Sequence, residues 1–557
     1  MDIKTKKDFK SEKDKLKFEL KLATEFLTRK EETKRDLTSR VNGVSCKAGG
    51  SGYQFVGYTS LERFYRGDQW SVDEPEGASQ RTDNYCGVIV DSVSSLPFDD
   101  VPEINCPTSD PSDDIAEVKA ECKEKLLWRV WDDNEFDVEF DEWSKVTSLY
   151  GDGFLKGPWM EKDENGKWKI RFTHIEDPGS IRLIFADNNY KKLIGYIHTT
   201  RINLEKAEER FGAAARAAGI KIIATPNSTS QSRSDQDSYT PMVDIDEYWT
   251  DKIMAVFIND KLLDYYFHNW GFVNLEPIKN IHSPNHPFGK SDIEDILDPQ
   301  LLHNRTNNDL ANLLKWISSM NMWGKNLEGM TALVAGLSRL YSVPEDGEIH
   351  TFEKVGDPYI TNTYVQQRRS AIVELSGVSE AMMSGSQLAN SSGRALAMAF
   401  QGTMRKIGPR IKRFRRALQN LNSHILQLME IYFPESKEII GGDYRNQVFL
   451  PATLFRNVVD TLNKLQSGVI SLDTAQREVG VNQPKLEQKL MKKNLQDPVL
   501  GPQIARQPAL LPRLSEGQNQ PGESPMPGPG QKFASPAGAV AGNNQTAGGA
   551  APVPIVE

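Results

Sequence analysis

The nearest approach to a catalytic element in the chain is PNHPFGKS, residues 284–291, directly before a helical stretch. Gly289-Lys290-Ser291 matches the end of a phosphate-binding loop, where backbone N–H groups and a lysine cradle phosphate oxygens. The first glycine of such a loop is replaced by Pro284, and Pro287 removes a second N–H donor. Ser291-Asp292-Ile293-Glu294 serves equally well as a capping box. His282 and His286 have the i, i+4 spacing of a helical metal pair, but Pro284 between them opposes a helix, and HSPNH supplies no acid. The pairs Asp99-Asp100, Asp113-Asp114 and Asp132-Asp133 read as solvated surface rather than a divalent-ion site. No Ser/His/Asp grouping, GxSxG or dinucleotide fingerprint stands out. The sequence argues against an enzyme, and no cofactor or metal is expected.

Cations are the stronger lead. Residues 394–416 carry eight bases and no acid: Arg394, Arg405, Lys406, Arg410, Lys412, Arg413, Arg415 and Arg416. On a helix, Arg405, Lys412 and Arg416 recur at i, i+7, i+11, and Lys406, Arg410 and Arg413 at i, i+4, i+7, giving a broad positive stripe. Such a stripe can meet nucleic-acid phosphates. It can equally meet the acidic stretch 73–142, with 21 acids against 5 bases, in the same or a neighbouring chain. No aromatics interleave with the cations and no base-reading motif is present, so sequence-specific binding is not expected.

The elements that position these residues follow from periodicity. Residues 1–40 hold 13 bases and 9 acids, and 5–40 predict a charged amphipathic helix whose seam is Leu16, Leu20, Ala23 and Leu27, packing on the body or on a neighbouring copy. A glycine-rich break at Gly49, Gly50 and Gly52 and an aromatic segment from Tyr58 to Trp70 come next. A helix is expected over 112–132, capped by Asp110 or Ser112 and buried through Ile115, Val118, Cys122 and Leu126. A second, about 135–150, stops at Gly151. FLKGPWM, WKIRFTHI, LIGYIHTT, DIDEYWT, KIMAVFI and LLDYYF read as strands of an antiparallel meander. The polar run 224–241 interrupts it as a mobile loop.

After 291 the pattern turns to long helices. Asp298-Pro299 forms a cap and first position, and Leu301, Leu302, Leu310, Leu313, Leu314 and Ile317 continue to about Met320. A small mixed patch (321–357), a helix at 359–376 and a Gly/Ser/Asn-rich break (377–393) follow. From 394 to about 432, Leu396, Phe400, Met404, Ile407, Ile411, Phe414, Leu418, Leu421, Ile425 and Leu428 step by three or four in one stripe. Pro409 inside that helix is expected to kink it. A helical pair, about 454–467 and 471–495, begins its second member at Ser471 or Leu472-Asp473. Residues 498–557 hold 11 prolines, 9 glycines and one aromatic, which predicts a disordered tail.

Composition agrees with a large mixed protein. The chain has 557 residues, 38% hydrophobic and 26% charged, with net charge −9. That balance excludes a uniformly basic nucleic-acid coat. No apolar run approaches the ~18 residues of a membrane span, and the lysine-rich start has no apolar core of a secretory signal. Cys46, Cys86, Cys106 and Cys122 share no CxxC spacing and fit reduced thiols of a cytosolic protein.

Taken in order, FYRGDQW (64–70), VDSVSSLPF with Pro102 (90–102), VTSLYGDGFLKGPW (146–159), HSPNHPFGKSDIEDILDPQLLHNRTNND (282–309), the Gly/Ser break and the helix from Arg394 resemble the portal protein of tailed double-stranded DNA bacteriophages. The likeness spans roughly 55–495. It implies an α+β, portal-like fold: an N-terminal helical arm (1–40), a mixed wing (41–290), stem helices (291–320 and 358–376), a small clip (321–357), a tunnel loop (377–393), a kinked long helix with wing return (394–453) and a helical crown (454–497). It implies a dodecameric ring at the unique capsid vertex, a channel for packaging and ejecting viral DNA. The implied partners are the major capsid protein, the terminase large subunit, then a head-tail adaptor protein, and double-stranded DNA passing without sequence preference. It places the chain in the virion and, during assembly, in the host cytoplasm.

Under that resemblance Ser384, Ser386, Gln387, Asn390, Ser391, Ser392 and Arg394 line the narrowest part of the channel, where weak, exchangeable hydrogen bonds let DNA slide. Lys325, Glu328 and Arg339 are the candidate docking charges of the clip. Arg405, Lys412, Arg413, Arg415 and Arg416 contact a neighbouring subunit or phosphate. Twelve copies at −9 each would repel a polyanion unless cations gather locally. The competing readings are a nucleotide-binding enzyme using the degenerate loop 284–291 and a non-specific DNA-binding scaffold.

Overall fold

The computed structural model describes residues 11–42, 56–70, 81–108, 114–163, 165–187, 190–212, 242–284, 286–318, 322–326, 346–351, 358–384, 393–450 and a few isolated residues beyond. It has two compact units, Met1–Lys485 and Leu486–Glu557, and every helix and strand below belongs to the first. Within it, helices and antiparallel sheets alternate, a mixed α+β fold.

Helix α1 (Glu12–Asn42) forms as expected but turns a different face inward. Leu22 and Phe26 are buried, while Leu16, Leu20 and Leu27 are 68%, 70% and 44% exposed. Aromatic area and charge decide the rotation. Phe26 stacks on Phe257 with ring centroids 3.7 Å apart and planes within 7°. Lys30 reaches the carboxylates of Asp246 and Asp260, each at 2.6 Å. Helix α2 (Tyr58–Arg66) ends at Gly67, whose φ of 85° suits a glycine cap. Helix α3 (Tyr85–Ser94) is capped by Asn84, which accepts from the Gly87 amide.

Strand β1 (Glu103–Asn105) precedes helix α4 (Asp114–Asp132). Here too the seam moves. Ala116, Ala120, Leu127, Val130 and Trp131 are buried, whereas Ile115 and Val118 stand 67% and 60% exposed. Two polar anchors fix that rotation: Trp131 Nε1 donates to Asn422 Oδ1 at 2.9 Å, and Lys123 pairs with Asp443 at 3.0 Å. The expected caps Asp110 and Ser112 lie outside the described residues. Helix α5 (Phe136–Tyr150) ends at Gly151 (φ 85°), as expected.

Strands β2 (Asp152–Lys162) and β3 (Trp168–His174) pair antiparallel. The meander then runs β4 (Ile181–Phe185), β5 (Leu193–Asn203), β6 (Met242–Thr250), β7 (Ile253–Ile258) and β8 (Lys261–Phe267) in consecutive antiparallel order, with helix α6 (Leu204–Phe211) after β5. Strand β4 adds an edge that the sequence reading did not name. The polar run 224–241 lies outside the described residues. One face of the sheet packs α1 through Ile184, Ile197, Tyr248, Ala255 and Phe257, and the other joins the main core through Tyr196 and Trp249, the period-two alternation of a strand covered on both sides.

Strand β9 (Leu275–Lys279) returns to pair with β2, and β10 (Ile281–His282) pairs with β11 (Gly289–Lys290). A single 3₁₀ turn, Glu294–Ile296, leads into helix α7 (Leu297–Ser318), so Asp298-Pro299 sits inside the first turn rather than at its cap. Strands β12 (Met322–Lys325) and β13 (Glu348–Thr351) form an antiparallel ribbon, and helix α8 (Pro358–Ser376) follows. Helix α9 (Glu380–Ser384) occupies part of the expected loop 377–393: Arg369 pairs with Glu380 at 3.4 Å and Thr403 Oγ1 accepts from the Ser379 amide at 2.9 Å, which anchors this segment.

Helix α10 (Gly393–Tyr432) runs 40 residues with Pro409 inside it. Phe400, Ile407, Phe414, Leu418, Leu421, Ile425 and Leu428 are all buried, as the stripe requires. Helix α11 (Pro434–Ile440) and strand β14 (Gln447–Phe449), which pairs with β1, close the described fold. The helical pair 454–495, apart from isolated residues, and the tail lie outside the described residues.

Candidate functional site

Two buried charge clusters sit where the helices and sheets converge. The first is centred on Arg40, whose side chain is fully buried. It pairs with Asp152 at 3.3 Å and Glu294 at 3.7 Å, and donates to the carbonyls of Tyr150 (2.5 Å), Gly289 (2.9 Å) and Val56 (3.1 Å). Asp152 also accepts from Tyr58 Oη at 2.7 Å and from the Gly289 amide at 2.6 Å. A buried cation is tolerable only when so completely satisfied.

The second cluster is centred on Asp292, whose side chain is also fully buried. Arg410 pairs with it, Lys406 does so at 3.0 Å, and Ser148 Oγ donates at 2.6 Å. Burial alone would raise the Asp292 carboxyl, but the two cations outweigh it and hold the group well below the carboxylate range. Lys406 also donates to the Ser376 carbonyl at 2.6 Å. One carboxylate thus ties the entrance of α7, the end of α8 and the middle of α10.

These clusters overturn the phosphate-loop reading. Gly289 is a strand residue with its N–H committed to Asp152, and Lys290 is paired with Asp295. Ser291 is buried and its hydroxyl donates to the Leu149 carbonyl at 2.5 Å. The capping box fits better: the Ser291 amide donates to Glu294 Oε2 at 3.2 Å and the Ile293 amide to Ser291 Oγ at 3.3 Å. Gly289 is glycine for packing, since a Cβ there would lie 2.3 Å from the Gly151 carbonyl oxygen. His286 Nδ1 accepts from the Phe288 amide at 3.2 Å.

The positive stripe divides in two. Arg410 and Lys406 turn to Asp292, and Arg413 donates to the carbonyls of Lys279 (3.1 Å) and Asn280. The carboxylate that neutralises the stripe inside the chain is therefore Asp292, outside the acidic stretch 73–142. Arg405, Lys412 and Arg416 remain exposed and Arg415 half-exposed. Among the described residues none of these four has an ion-pair partner.

The other candidates are placed unevenly. Lys325 ends β12 and is exposed; Glu328 and Arg339 lie outside the described residues. Ser384 ends α9 and Arg394 is the second residue of α10, so helices flank the loop. Ser386, Gln387, Asn390, Ser391 and Ser392 lie outside the described residues.

Helix α7 holds a feature that apolar periodicity hides. Gln300, Asn304 and Asn308, at i, i+4, i+8, are buried and grip the extended segment 81–83. The Arg81 amide donates to Asn308 Oδ1 at 3.2 Å and the Asp83 amide to Asn304 Oδ1 at 3.1 Å, while Gln300 Nε2 donates to the Asp83 carbonyl at 2.5 Å. Asn304 also donates to Gln69 at 2.6 Å. The amide-facing side is the buried one, and Leu302 and Leu314, expected in the seam, stand 40% and 48% exposed. A repeat of Asn and Gln at helical spacing was the available signal.

Glu276 of β9 faces His424 of α10 at 3.4 Å. Burial pushes the Glu276 carboxyl up to about 8, against the Asn420 hydrogen bond and the charge of Arg416. Burial also drives His424 down to about 4. At neutral pH the two groups therefore meet uncharged. An unfolded glutamate loses its proton near 4.5 while the folded one keeps it to about 8, so Glu276 removes stability as pH rises through that window. His424 acts the other way, adding stability as pH rises from about 4 to 6.5. The variant Glu276→Gln is expected to match the wild type near pH 4 and to exceed it by roughly 2–4 kcal/mol at pH 8. Urea midpoints at both pH values check this; an advantage independent of pH would refute it.

A model of the phage portal protein family, SPP1 Gp6-like, matches residues 57–498. No curated protein matches the chain. The matched region opens at α2, spans all five described sheets and α10, and leaves α1 outside. Over most of its length, then, the chain belongs to the SPP1 Gp6-like phage portal proteins, a structural family of the phage capsid.

Proposed function

We propose that copies of this chain close a ring at the unique capsid vertex, forming the channel through which viral DNA is packaged and ejected. In this reading 41–290 is the wing, α7 and α8 are the stem, the β12–β13 ribbon belongs to the clip, 377–393 carries the tunnel loop and α10 is the long wing helix. The clip docks the terminase during filling and an adaptor afterwards; ATP hydrolysis belongs to the motor.

The observation that carries the reading is the outward apolar surface of the helices. Leu302 and Leu314 on α7, and Tyr359, Ile360, Tyr364 and Leu375 on α8, are between 40% and 77% exposed, while the Gln/Asn face of α7 is buried. A chain that buries amides and shows leucines to solvent has its apolar partner elsewhere, and neighbouring stems around a shared axis would supply it. The rival nucleotide reading loses the N–H groups and the lysine it needs.

Single-particle imaging of the purified full-length chain tests the proposal. Rings of about a dozen copies with a central opening wide enough for duplex DNA (~20 Å) are expected. A single-copy particle without an opening under all assembly conditions overturns it.

A further inference from the structure

Helix α10 has two sides of opposite character. At 100° per residue, Arg405, Lys412 and Arg416 fall within about 40° of one another and roughly opposite Phe414. Phe414 points into the core against Trp143 of α5, ring centroids 4.8 Å apart. The three cations point away from it, exposed and without an ion-pair partner among the described residues.

Helix α5 shows the reverse. Its inner side presents Phe140 and Trp143 to the core, and its outer flank carries Asp137 and Asp141 at i, i+4, both exposed, with Val138 50% exposed between them. Like charges at that spacing repel. Partial burial and the neighbouring Asp137 and Asp99 raise the Asp141 carboxyl above its ordinary value. The acids lie on the far side of α5 from α10, and the cations on the far side of α10 from α5. Within one copy they cannot meet.

We infer that Arg405, Lys412 and Arg416 of one copy dock on the Asp137–Asp141 flank of the next, forming the electrostatic part of a head-to-tail contact. The inference rests on the ring reading above and names the residues of one of its interfaces. Two different patches of opposite sign, facing away from each other on either side of the Trp143–Phe414 contact, are what a heterologous, closing contact requires. A second copy is favoured over nucleic acid because three of the cations that would build a phosphate track, Lys406, Arg410 and Arg413, are turned inward.

The test is a charge swap in the full-length chain, read by sizing and negative-stain imaging at about 0.1 M salt, where surface charges still act over ~10 Å. R405E/K412E/R416E and D137K/D141K should each lower the ring fraction about tenfold. The chain carrying all five changes should recover it, because both patches then have inverted sign. Unchanged rings in either reversed chain, or no recovery in the five-fold variant, would overturn the inference. Should the reversed chains fail to fold, R405Q/K412Q/R416Q replaces them: its ring yield should lose the salt sensitivity of the wild type, and equal salt sensitivity refutes the contact. Wild-type chains that never form rings would sink the ring reading itself, a result distinguishable from intact rings in the reversed chains.

Discussion

Replacing Asp292 by asparagine is expected to cost ~3–5 kcal/mol of stability, because it strips the counter-charge from buried cations while leaving them in place. Arg410 is 2% exposed and has no other carboxylate within reach among the described residues. Lys406 keeps the Ser376 carbonyl but loses its charge partner. The Asp292 carboxyl is held below its unfolded value of 3.8, so its contribution is complete above about pH 4 and disappears as pH falls through the folded value. The defect of Asp292→Asn should therefore be full at neutral pH and fade in acid. Denaturant midpoints at pH 7 and in steps from pH 4 downward measure it, the defect shrinking progressively toward the folded value rather than vanishing at once. The double change Asp292→Asn with Arg410→Met should regain a large part of the loss, since an apolar side chain of similar length leaves one fewer unpaired charge. No regain would show that the cluster acts through shape rather than charge.

Phe414→Ala should cost about 3–5 kcal/mol, for a different reason. Phe414 is fully buried at the centre of α10, edge-on to Trp143 at 4.8 Å and 87° and to Phe98 at 5.1 Å and 75°. Removing the ring opens a cavity between Trp143 of α5 and Phe98 in the turn after α3, both packed against it. Phe414→Leu should recover more than half of the loss, and melting curves of the two variants give the comparison. Equal destabilisation by leucine and alanine would mean that ring geometry, not volume, is what the site requires.

Much of the architecture was legible because it rests on local pattern. The stripe from Phe400 to Leu428, the stop of α5 at Gly151 and the run of antiparallel strands are written in spacing and turn residues alone. The faces of α1, α4 and α7 were not. In each, some of the residues that periodicity assigns to the core stand in solvent (Leu16, Leu20 and Leu27 of α1, Ile115 and Val118 of α4, Leu302 and Leu314 of α7), because long-range partners set the rotation: Phe257 and Asp246 for α1, Asn422 and Asp443 for α4, the segment 81–83 for α7. Those partners all lie more than 200 residues away, and no local rule reaches them. The same distance hid the charge clusters. Arg40 and Asp152, or Asp292 and Arg410, are ordinary surface-type residues until the fold brings them together 112 and 118 positions apart. The basic stripe was visible, but the sequence could not say which half of it Asp292 would claim.

The grip of α7 on residues 81–83 has an evolutionary consequence. At position 81 the contact is made to a main-chain N–H, which nineteen of the twenty amino acids supply identically. The side chain there adds only a solvent-exposed ion pair to Asp83 at 3.3 Å, so it can drift with the main-chain contact intact, and proline is the single replacement that would break that link.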